Sequence, residues 1–64
     1  MKGKVKWYDI QLGYGFIRGE NGSDVFIHKS NLPFWTIFLK VDDKVEFIPE
    51  KTSKGFNATD LKIL

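Results

Sequence analysis

No cysteine occurs in this chain of 64 residues, and it holds a single histidine. The first absence excludes a disulfide framework and a thiolate metal site. It fits a reducing compartment, and a cytoplasmic location is the expectation. The second leaves His28 without a second histidine at ligand spacing, so neither a metal nor another cofactor is expected. Long apolar runs are also missing. Nothing approaches the ~20 residues of a membrane span, and the basic start Met1–Lys6 leads into no apolar stretch of a secretory signal. No glycine-rich phosphate loop of the Walker type is present. A His28–Asp24 dyad would sit on an open surface without a pocket. Catalysis needs a nucleophile, an acid–base pair or a metal. With none in view, the expectation is a binding protein that is not an enzyme and takes no small-molecule substrate.

Shortness sets the next limit. A chain of this length has room for one core, and about 60% of its unfolded surface can be buried. Net charge is only +2, too little by itself to name a partner. Its distribution says more. Residues 1–29 hold Lys2, Lys4, Lys6, Arg18 and Lys29 against Asp9, Glu20 and Asp24, whereas the charges of residues 30–64 cancel. The basic excess therefore lies in the first half.

What the chain has in quantity is rings: two Trp, two Tyr and six Phe. The two stretches that matter most lie between Tyr14 and His28. Tyr14–Gly19 and Asp24–His28 alternate as β-strands, with successive side chains on opposite faces. Between them Asn21-Gly22 is a strong hairpin signal. One face of the hairpin carries Ile17, Val25 and Ile27. The other carries Tyr14, Phe16, Arg18, Phe26 and His28. Alternating aromatics often form a core, and that reading competes here. Yet the aliphatic face can supply a core by itself, which leaves the rings and a cation to face solvent. A platform of rings beside basic groups suits unstacked nucleobases, because each base has a π-face to stack.

The flanking segments extend this pattern. Gly3–Asp9 reads as a strand with Lys2, Lys4 and Lys6 on one face and Val5 and Trp7 on the other; a bulge would change which of Trp7 and Tyr8 points inward. Asp9–Gly13 is a loop. Ser30 is placed to cap a single helical turn that Leu32 anchors in the core. Phe34–Leu39 is apolar, with Leu39 expected in the core, and Val41–Lys44 is a turn. Lys44–Glu50 forms a fourth strand with Val45 and Phe47 inward, and Pro49 marks an edge or end. In the last strand, Phe56–Ile63, simple alternation puts Thr59, Leu61 and Ile63 on one face and Phe56, Ala58 and Asp60 on the other. Five short strands without helical periodicity imply an all-β fold, a small five-stranded antiparallel Greek-key barrel whose closure removes exposed edges.

Gly13-Tyr14-Gly15-Phe16-Ile17 resembles the first ribonucleoprotein motif, and Val25-Phe26-Ile27-His28 the second, in the order and spacing of bacterial cold-shock proteins. Gly3-Lys4-Val5-Lys6-Trp7-Tyr8 looks like that family's first strand. The resemblance runs through essentially the whole chain and implies a single cold-shock-like domain over residues 1–64 with the OB-fold. It implies a ring at Trp7 on the binding face and an internal one at Tyr8. It further implies a monomeric RNA chaperone that binds single-stranded RNA or DNA and affects gene regulation at low temperature. On this reading Trp7, Tyr14, Phe16, Phe26 and His28 stack on bases, while Lys6, Arg18 and Lys29 attend the backbone.

The chain departs from the family pattern at several positions. Leu12 replaces a typical lysine and Ile10 a small polar residue, which predicts weaker and less salt-dependent binding. Lys29 stands where many members carry an aromatic, and Phe56 where proline is common. The segment 34–39 is more apolar than the family's glycine-containing loop. Phe34, Trp35, Phe38 and Phe56 are candidate additions to the stacking surface. Alternatively Phe34–Leu39 covers the barrel opening, mediates self-association, or makes the protein an interaction barrel with a protein partner.

Overall fold

The computed structural model describes residues 1–36 and 38–64, so Ile37 of the apolar segment lies outside the described residues. Five strands, β1 (Lys2–Asp9), β2 (Tyr14–Gly19), β3 (Asp24–His28), β4 (Lys44–Thr52) and β5 (Gly55–Ile63), are joined by turns and one 3-10 turn, Lys29–Asn31. They close into a barrel in the order β1-β2-β3-β5-β4. The fold is the expected all-β OB-type barrel. One seam differs from an all-antiparallel arrangement: β3 and β5 run parallel, through Val25↔Phe56 and Phe26↔Asn57. Directions cannot alternate around a ring of an odd number of strands, so five strands impose one parallel seam.

Val5, Ile17, Val25, Ile27, Leu39, Val45, Phe47, Ala58 and Leu61 form the core, with Met1, Tyr8 and Leu32 packed partly against it. Among the described residues no polar side chain is buried. Its centre is therefore aliphatic apart from Phe47, and the hairpin rings are not needed to fill it. In β2 and β3 burial alternates residue by residue, as the period of two requires. The turn between them closes with Gly22 donating to the Gly19 carbonyl at 2.9 Å and Ser23 donating to Asn21 Oδ1 at 3.0 Å. Gly22 adopts φ +85 there, a conformation that costs glycine little.

β1 does not alternate throughout. Its pairing with β2 shifts between Val5 and Trp7, so that Val5 opposes Ile17 and Trp7 opposes Phe16, with Lys6 as the extra residue. The bulge corrects the shared face of Val5 and Trp7. Val5 stays inside, Trp7 is carried onto the outer face at 38% exposure, and Tyr8 packs on the core. The partial burial of Tyr8 pushes its phenol above the ordinary tyrosine range. Directly across from Tyr8 lies Gly15, where a Cβ would meet the backbone of Trp7 and Tyr8. Only glycine lets the two strands approach there.

β5 corrects the simple alternation in the same way. Asp60 takes φ 51, and the pairing of β4 with β5 shifts between Glu46 and Ile48. Ala58 and Leu61 are consequently both buried, while Ile63 is exposed. Pro49 sits within β4, opposite Ala58. The partnership of β4 with β1 covers Lys44–Glu46, and Met1 and Phe47 exchange backbone bonds beyond it. Pro49 lies past that contact, where a missing N–H deprives no neighbouring strand. The 3-10 turn is capped by His28, not Ser30: His28 Nδ1 accepts from the Ser30 backbone N–H at 3.2 Å.

Candidate nucleic-acid interface

Strand register assembles the outer face in rows. Trp7, Phe16 and Phe26 are consecutive neighbours across β1, β2 and β3, and Asn57 of β5 continues the row. The next row holds Asp9, Tyr14 and His28. On the other side Lys4, Arg18 and Asp24 line up.

Four rings close a cycle of contacts. Trp7 meets Tyr14 at a centroid distance of 5.9 Å and Phe16 at 5.7 Å. Phe26 meets Tyr14 at 5.5 Å and Phe16 at 5.7 Å. Interplanar angles of 36–73° make these edge or tilted contacts, the arrangement the ring quadrupole favours. Each pair contributes roughly 0.5–1.5 kcal/mol beyond its area burial, so every ring is braced by two others. None is fully buried. The result is a fixed apolar surface with tilted ring faces, on which planar groups can stack.

His28 borders the cycle, opposite Tyr14. Its Nδ1 also lies 3.0 Å from Ser30 Oγ. Accepting the Ser30 amide requires an unprotonated Nδ1, which leaves Nε2 to carry the proton of the neutral ring.

The cations are arranged differently from the sequence expectation. Asp24 takes both Arg18, through Nε to Oδ1 at 3.0 Å, and Lys6, through Nζ to Oδ2 at 3.3 Å. The hydrogen bonds from Arg18 and from Lys6 hold the Asp24 carboxyl below the ordinary carboxylate range. Lys6 and Arg18 thus border the rings as partners of an acid and not as free charges. Lys29 is exposed on the 3-10 turn; its amide donates to the Gly13 carbonyl, and its alkyl chain lies beside Gly13. Ile10 and Leu12 are exposed in the β1–β2 loop, where Asp9 Oδ1 accepts from the amides of Gln11 and Leu12.

Other candidates lie apart. Phe34 and Trp35 contact each other at 5.0 Å, nearly perpendicular, and are 93% and 72% exposed. Trp35 lines an open groove with Met1, Leu32, Phe47 and Leu61, none of which belongs to the ring cycle. Phe38 and Phe56 are exposed, and among the described residues no ring pair ties either to the cycle. Phe56 pairs with Val25 and so follows the inner-face series; it is Asn57 that stands beside Phe26. Asn57 and the double role of Asp24 escaped the sequence reading, because both follow from strand register rather than from any local motif. Among the described residues no group of three His, Cys, Asp or Glu side chains gathers to hold a metal. Among the described residues no helix is long and apolar enough to cross a membrane.

A closed five-stranded barrel with a braced, partly exposed aromatic face on β1–β3 defines a class of small β-barrel binding modules. The model of the 'Cold-shock' DNA-binding domain matches residues 1–64, and the chain belongs to that family. It is 43% identical over 67 residues to the "Cold shock-like protein" of Thermotoga maritima, covering 100% of this chain and 98% of the relative. It is 38% identical over 63 residues to "Cold shock protein CspC" of Bacillus subtilis, covering 95% and 94% of the two chains. Against "Cold shock protein CspB" of Bacillus caldolyticus the identity is 63% over 27 residues, covering 42% and 41%.

Proposed function

We propose that this protein binds single-stranded RNA or DNA by stacking bases on Trp7, Tyr14, Phe16 and Phe26, with His28 at the margin. The observation that carries this reading is the four-ring cycle, left partly exposed on a barrel whose core is complete without it. Family membership supports the nucleic-acid class of ligand. Stacking contributes roughly 1–3 kcal/mol per base and is tolerant of sequence. In a duplex the base faces are hidden, so single strands are preferred. Binding shifts the equilibrium of a structured transcript toward its unpaired form without ATP or any catalytic step. That is an RNA-chaperone role, carried out by residues 1–64 as one monomeric unit in the cytoplasm. A second reading, docking of a protein partner, is supported by the extreme exposure of Phe34 and Trp35.

Fluorescence of Trp7 tests the first reading. In a Trp35→Phe background, where Trp7 is the remaining tryptophan, titration with oligo-dT and oligo-U should quench its emission. The quench should vanish in a folded Phe16→Ala, Phe26→Ala variant. A folded protein whose Trp7 emission is indifferent to single strands of several lengths would refute it.

A further inference from the structure

We infer that Asp24 is a built-in counter-ion that withholds Lys6 and Arg18 from phosphate, so that the aromatic face selects exposed bases over backbone charge. This rests on the single-strand reading above and deepens it by naming what the face selects.

The geometry is a bridge, not a chance pairing. Each carboxylate oxygen of Asp24 takes a different cation, Arg18 at 3.0 Å and Lys6 at 3.3 Å. Arg18 stands directly opposite Asp24 in the β2–β3 ladder. Lys6 is the residue set out of register by the β1 bulge. The cluster borders the row formed by Trp7, Phe16 and Phe26, and its three side chains are each about half exposed. A phosphate arriving there meets two cations already sharing one anion. It must displace the carboxylate or accept a weakened contact.

The far side of the face adds little charge. Ile10 and Leu12 are apolar and exposed, and Asp9 adds an acid beside Tyr14. Lys29, and Lys4 opposite Arg18 in the ladder, have no ion-pair partner among the described residues, which leaves these two cations available to a backbone. The Asp24 carboxyl is held below its ordinary range, so the counter-ion stays charged under ordinary conditions. Ring stacking therefore supplies most of the attraction, and oligonucleotides with an uncharged backbone should remain ligands.

The test compares wild type with Asp24→Asn, using fluorescence anisotropy of labelled oligo-dT and of its methylphosphonate analogue over a range of salt. Asparagine keeps one acceptor for Arg18 and removes the charge. The variant should bind oligo-dT about 2- to 10-fold more tightly at low salt. Its plot of log affinity against log salt should steepen by about 0.7 for each cation released. Wild type should bind the methylphosphonate within about tenfold of oligo-dT, and the variant should discriminate more. An unchanged slope overturns the inference, and so does weaker binding by a folded variant. Loss of all binding by wild type would instead overturn the single-strand reading. Should Asp24→Asn fail to fold, a Lys6→Gln, Arg18→Gln chain serves. Flattening of its slope by less than about 0.7 supports the counter-ion, and flattening by about 1.4, the value for two free cations, overturns it.

Discussion

The molecule displays rings in two settings, the hairpin face and the segment that follows the 3-10 turn. On the face, Trp7, Tyr14, Phe16 and Phe26 each touch two other rings and stand on paired strands. In the segment, Phe34 and Trp35 touch one another and project from irregular backbone. The segment is the more exposed of the two, yet the face is the better preorganised. A ring already fixed by strands and neighbours loses little conformational freedom when a base stacks on it, and preorganisation of that kind raises affinity. Exposure alone does not.

The largest contrast between rings should appear in stability. Phe47 is fully enclosed in the core, whereas Phe34 is nearly free of it. Phe47→Ala is expected to cost about 3–5 kcal/mol, enough to unfold much of so small a barrel near room temperature. Phe34→Ala should move the unfolding midpoint little, within about 0.5 kcal/mol. Thermal melts followed by circular dichroism compare the two; a destabilising Phe34→Ala would mean that the segment packs as part of the fold.

Binding should reverse the ranking of exposure. Phe16→Ala removes a ring that braces both Trp7 and Phe26 and should weaken oligo-dT binding by about 1–3 kcal/mol, or roughly 5- to 150-fold. Trp35→Ala, despite deleting a larger and more open ring, should change affinity by no more than about threefold. The opposite order would move the nucleic-acid site to the segment or turn attention to a protein partner there.

A backbone variant sharpens the same point. At Gly15→Ala the new methyl meets the backbone of Trp7 and Tyr8, so β1 must move away from β2. Overpacking of this kind costs about 1–3 kcal/mol. Stability and the Trp7 emission spectrum should both shift, because Trp7 sits at that contact. Spectral change confined to Trp35 would contradict the account of the β1–β2 seam.

Much of this was legible in the sequence where periodicity was unbroken. In β2 and β3 a strict period of two, bracketed by an Asn-Gly turn, put Ile17, Val25 and Ile27 together on one face, and the resemblance to cold-shock proteins favoured that face over the rings as the inner one, where the structure has it. Simple alternation failed where one residue steps out of register. In β1 it set Val5 and Trp7 on one face, whereas the resemblance put Trp7 outside and Tyr8 inside, as the bulge at Lys6 arranges them. In β5 the positive φ of Asp60 re-aims Leu61, and aspartate tolerates that conformation too commonly to advertise it. Side-chain economy was less legible still. Serine is a favoured capping residue and pointed to Ser30, while the structure puts the cap at His28. The Asp24 bridge depends on which residues the ladder sets opposite one another, and charge counting had left Lys6 and Arg18 free.

The smallest expected effect lies in the pH dependence of stability, and it separates the two ring settings once more. Asp24 has a folded-state pKa below its unfolded value, because Arg18 and Lys6 favour the carboxylate. Its contribution is therefore complete above the ordinary carboxylate range. It declines as pH falls through that range, and is gone once the folded group is itself protonated. Tyr8 has the opposite sign of shift, its pKa raised by burial above the ordinary tyrosine value. Its contribution is complete below that value and is lost as pH rises past it, since the unfolded chain releases the proton first. Unfolding midpoints across the acid range should fall less steeply in Asp24→Asn than in wild type, and Tyr8→Phe should flatten the alkaline limb. The segment Phe34–Leu39 carries no titratable side chain, so Trp35→Ala should leave both limbs as they are. An acid limb unaltered by Asp24→Asn would show that the bridge to Lys6 and Arg18 is too well screened by solvent to stabilise the hairpin. The hairpin would then owe its order to the rings and the aliphatic core alone.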